Sequence, residues 1–119
     1  MYSGSSDKLE LRLVQTGGGD EMLYMVIMSH NPEAGPMGSK AVADNIRNVV
    51  QKRDQVMSKL GIKDVGEWID VAAHVAYLVA DAADAHVFTR MLAEFGMLGW
   101  IKAEIHPIIS YKDSVAMLQ

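Results

Sequence analysis

A chain of 119 residues, half of them apolar and 22% charged, is long enough for one hydrophobic core and too apolar to remain unfolded. Charged residues break every apolar run before it reaches membrane-spanning length, and a net charge of −4 with scattered lysines and arginines argues against a nucleic-acid-binding surface. The absence of cysteine removes disulfides, thiolate nucleophiles and cysteine-ligated zinc or iron–sulfur centres; with no basic-then-apolar leader, a cytoplasmic protein is expected.

Residues 1–21 are expected to be an N-terminal arm, separate from a domain over residues 22–119. In the arm Leu9, Leu11 and Leu13 alternate with Lys8, Glu10 and Arg12 ahead of Gly17-Gly18-Gly19, which is the period of an extra strand followed by a linker. Residues 22–28, Met-Leu-Tyr-Met-Val-Ile-Met, predict a strand buried on both faces and ending at Ser29-His30-Asn31-Pro32. Prolines and glycines over residues 31–39 predict a loop, with Ser39 as an N-cap. Over residues 40–60, Val42, Ile46, Val49, Val50, Met57 and Leu60 fall near one helical face opposite Asp44, Arg47, Lys52 and Asp54, and Gly61 stops the helix.

Residues 64–71 and 74–79 predict the two strands of a hairpin turning at Ala72-Ala73. The run Asp81-Ala82-Ala83-Asp84 is expected to cap a second helix, in which Val87, Phe88, Met91, Leu92 and Phe95 share a face before Gly96 and Gly99. Residues 100–109 alternate Ile101, Ala103 and Ile105 against Lys102, Glu104 and His106, the pattern of a last strand, and the remaining tail predicts a short helix or arm.

Strand, helix, two strands, helix, strand is the order of an α+β, ferredoxin-like βαββαβ domain. The handedness rule for split βαβ units arranges its antiparallel sheet as 4-1-3-2, with both helices on one face. A second copy of the chain is expected to cover the other face, giving a homodimer. The arm leucines are the alternative cover in a monomer.

Residues 22–32, the segment Gly66-Glu67-Trp68-Ile69-Asp70 followed by His74, Tyr77 and Val79, the acidic junction Asp81 to Asp84, and the closing Glu104-Ile105-His106-Pro107-Ile108 together resemble small proteins of the dimeric α+β barrel superfamily. Within it they are most similar to a branch known as a domain of unknown function. The resemblance begins at about Met22 and implies a fold and a dimer more strongly than a reaction. Members of the wider superfamily include cofactor-free monooxygenases, lactone isomerases, haem enzymes and stress-response proteins.

Strand directions bring the C-terminal ends of strands 1 and 2 to the N-terminal ends of strands 3 and 4, so His30, Asp70, His74, Lys102 and Glu104 are expected at one edge. His74 oriented by Asp70 is the candidate catalytic pair. His30 and His74 are the candidate ligands of a divalent metal or haem, although no compact ligand motif such as HExxH supports a metal. The structural counterpart is a His74 that starts a strand and a His30 that tops another. Tyr24, Trp68, Tyr77 and Trp100 are candidates to line an apolar substrate pocket, or else to serve as core and interface anchors. Glu104 and His106 share a strand face that meets solvent or a barrel cavity, and neither glycine cluster has the pattern of a phosphate cradle. The expected function is binding of a small apolar or aromatic molecule, with a cofactor-free or metal-assisted oxygenase or isomerase step. The alternatives are a non-catalytic stress-response or partner-stabilising protein and a metal or haem binder; the cofactor is unknown, with none expected first.

Overall fold

The computed structural model describes residues 22–118, so the strand expected within the N-terminal arm lies outside the described residues. Strands β1 (Met22–Ser29), β2 (Lys63–Asp70), β3 (Val75–Ala82) and β4 (Lys102–Pro107) form one antiparallel sheet ordered β2-β3-β1-β4, the order expected from the split βαβ rule. Helices α1 (Lys40–Lys59) and α2 (His86–Glu94) pack on one face, and a short α3 (Tyr111–Ala116) follows β4. The architecture is α+β and ferredoxin-like.

Local chemistry sets the helix ends. Ser39 Oγ accepts a hydrogen bond from Val42 N at 3.3 Å, which starts α1 where the sequence places its cap. At the other end Gly61 adopts φ +72°, Ile62 N donates to Met57 O at 2.9 Å, and Gly61 N donates to Ser58 O at 3.1 Å. This is a Schellman closure, and it drops Ile62 into the core beside Met57.

Two expectations need correction. Asp81 and Ala82 do not cap α2; they end β3, paired with Leu23 and Met22, because a continuing ladder satisfies two backbones at once. Ala85 occupies the N-cap position with no side-chain bond. Val50, expected on the buried face of α1, is 71% exposed. The line buried on α1 runs through Val49 and Val56, and Val50 lies about 100° further round the helix.

Strand alternation divides the apolar residues between two faces. Val26, paired with Leu78 and Ile105, joins Tyr24, Met28 and Ala80 against α1 and α2, with Phe88 fully buried at the centre. On the opposite face Leu23 and Val79 are buried with Met25, Val65 and Ile108 around them. A register shift between Asp64 and Gly66 adds the extra residue, Val65, to this second cluster.

Candidate functional site

The chain leaves β1 at Ser29, so His30 stands at the lip of the sheet beside the β2–β3 turn. His74 closes that turn with φ +59°, a conformation that costs a non-glycine residue about 1–3 kcal/mol and persists only where its surroundings hold it. Here the turn is tied twice: Ala73 N donates to Asp70 Oδ1 at 3.1 Å, and His74 N donates to Val71 O at 3.4 Å. The His74 ring consequently meets His30 edge-on, with centroids 5.1 Å apart, and His30 lies against Trp100 at 5.7 Å.

Two further contacts fix this group. A Cβ placed on buried Gly35 would collide with the His30 ring, so the loop after β1 covers the imidazole only because residue 35 has no side chain. Asn45 on α1 accepts from Trp100 Nε1 at 3.1 Å and donates from Nδ2 to Phe95 O, at the end of α2, at 2.8 Å. One amide therefore joins α1, α2 and the indole. His30 Nδ1 lies 2.7 Å from Asn31 O, which can only accept, so Nδ1 carries the proton. In the neutral ring Nε2 is then the basic nitrogen.

Beside the imidazoles a cavity of about 510 Å³ runs between the sheet and α1. Met28, Ala76 and Leu78 form its floor, and Val50 and Ile69, 71% and 66% exposed, border its mouth. Arg53 and Glu67 border it farther along β2. The Arg53 guanidinium donates to Asp64 at 3.0 Å and to Glu67 at 2.8 Å. Burial by itself lowers the Arg53 pKa, but the bond to Asp64 and the charges of Glu67 and Asp64 outweigh it and hold the value above the ordinary arginine level.

Of the residues singled out from the sequence, His30, Asp70 and His74 all border this cavity, with the Asp70 carboxylate engaged on the turn. The four aromatics do not gather. Trp100 borders the cavity, whereas Trp68 and Tyr77 are cross-strand partners on the opposite sheet face, with the indole of Trp68 lying over Gly66. Tyr24 is buried in the core with its ring edge-on to Phe88 at 5.5 Å. Lys102 and Glu104 are likewise separated from the imidazoles by strand parity: they pair with Ser29 and Ile27, and Glu104 meets His106 at 3.2 Å. Among the described residues no three histidines, aspartates or glutamates are placed to share a metal ion.

Sequence inspection missed Asn45 and assigned Arg53 no role. The signal for Asn45 was an amide within one turn of Val42, Ile46 and Val49, on the side of the helix that turns inward. Arg53 carries no local signal, since both of its strong partners arrive from a strand more than ten residues away.

A search among curated proteins finds no match to this chain. A family model matches residues 22–119, which takes in the whole described fold, and the chain belongs to the family described as Domain of unknown function (DUF3303).

Proposed function

We propose that this protein binds a small, largely apolar or aromatic molecule in the cavity under α1, and that His74 and His30 exchange a proton with its polar end, as in a cofactor-free oxygenase or isomerase. One observation carries this: two imidazoles in ring contact at one end of a cavity whose walls are otherwise mostly apolar. Its volume falls within the range of small-molecule sites, and a nitrogen poised to accept a proton beside apolar walls suits acid–base work on a bound carbon acid or phenol.

The test uses Trp100 as a reporter. A Trp68→Phe variant leaves it as the only tryptophan, and energy transfer to 1-anilinonaphthalene-8-sulfonate is expected to saturate with one probe per chain. An added Ala76→Phe substitution, which fills the floor, is expected to abolish the signal while far-UV circular dichroism is unchanged. Transfer that never saturates, or that survives the filled floor, would sink this reading.

We also infer a homodimer formed through the second sheet face. There Trp68 is 46% exposed beside half-buried Tyr77 and Ile27, an apolar patch of the kind that marks interfaces. Sedimentation equilibrium is expected to give twice the chain mass, and Trp68→Glu to halve it.

A further inference from the structure

The cavity has polar groups at two separated places, and their chemistry differs. At one end stand the imidazoles, with His30 Nε2 the basic nitrogen. At the other stand Arg53 and Glu67. Arg53 is engaged by Asp64 and Glu67 together, and Asp54 adds a third carboxylate at 3.7 Å. The Arg53 charge is thus already met by carboxylates, and of these only Glu67 borders the cavity; an Arg N–H and a carboxylate oxygen both face small neutral groups favourably.

The register gives the spacing. Glu67 pairs with Leu78, and four residue steps along the chain lead from Leu78 back to His74, about 13 Å at the rise of a strand. Apolar Ile69, Ala76 and Met28 fill the interval.

From this we infer, building on the ligand-binding reading above, that the ligand is elongated and two-headed: an acidic O–H group at His30 and His74, an uncharged hydroxyl at Arg53 and Glu67, and an apolar body between them. An extended chain of roughly eight to ten carbons spans the interval. The acidic head lies as an anion beside the imidazoles: a phenol gives its proton to His30 Nε2, and a carboxylic acid, already ionised in neutral water, draws a solvent proton onto that nitrogen. The distal hydroxyl donates to Glu67 and accepts from Arg53. A second carboxylate there meets Glu67 beside an Arg53 already engaged by Asp64 and Glu67, and is rejected.

Isothermal titration calorimetry with 10-hydroxydecanoic, decanedioic and 6-hydroxyhexanoic acids tests this. The ten-carbon hydroxy acid is expected to bind at least tenfold more tightly than either of the others. Glu67→Gln, which keeps shape and hydrogen-bonding capacity but removes a charge, is expected to narrow the gap to decanedioic acid to under threefold, and His74→Ala to weaken all three acids about tenfold. Equal affinity across the three acids, or a Glu67→Gln variant that discriminates as wild type does, overturns the two-headed ligand while saturable binding of the anilinonaphthalene probe leaves the cavity reading intact. If neither the acids nor the probe bind, both readings fall together.

Discussion

The two ends of the space between sheet and helices begin with similar materials and finish differently. At one end the strands offer Ala80 and Ala82, and Phe88 from α2 fills the room they leave, meeting Tyr24 edge-on with no exposed surface remaining. At the other end Ala76 and Ala103 leave comparable room over Met28, yet the residues facing it from α1 and β2, Val50 and Ile69, remain mostly exposed. Small residues on a sheet thus make a packed core where a helix presents an aromatic ring, and a cavity where the helix stands off the edge strand. The open end is also where the chain accepts an unfavourable backbone conformation, at His74. Unfilled volume and local strain coincide beside the two imidazoles, and the proposed binding site rests on that coincidence.

The comparison is most easily broken at the packed end. Phe88→Ala is expected to cost about 3–5 kcal/mol in urea unfolding, because it opens a hole in a site that cannot collapse. While the protein remains folded, affinity for a cavity probe should change by less than about twofold, since Phe88 does not border the cavity. A larger change in probe affinity would mean that the two ends are not independent.

Asn45→Ala acts between the ends, and a loss of about 1–3 kcal/mol is expected because the Trp100 N–H and the Phe95 carbonyl both lose a partner. Trp100 emission is expected to shift to the red in the same variant, with weaker probe binding, as the indole loosens over His30. The smallest effect has the opposite sign. His74→Gly removes the cost of the left-handed conformation and is expected to raise stability by up to about 1 kcal/mol, read as a higher midpoint in thermal unfolding, while binding of acidic ligands weakens. A His74→Gly protein that is less stable would show that the imidazole contacts outweigh the backbone strain.

Much of the site is legible in the sequence, and the reason is strand direction. Once the βαββαβ order is recognised, the ends of β1 and β2 must meet the starts of β3 and β4, which brings His30 and His74 together. Parity was harder. Trp68 and Tyr77 are each one residue from positions that border the cavity, Glu67 and Ile69 beside the first and Ala76 and Leu78 beside the second, and that single step puts their side chains on the opposite face. The placement of Asp81 was missed for a related reason: an acidic residue before a helix resembles a cap, and only its pairing with Leu23 assigns it to the strand.

The sequence alone determined the element order, the limits of α1, the inward and outward alternation of β4 and the meeting of the two histidines, because each follows from a local period or from a rule of chain direction. Tertiary structure decided that a cavity exists, that Asn45 holds Trp100 over His30, and that Arg53 and Glu67 supply a second polar end. Those depend on how far α1 stands from β2, a distance set by the whole core and encoded in no single segment.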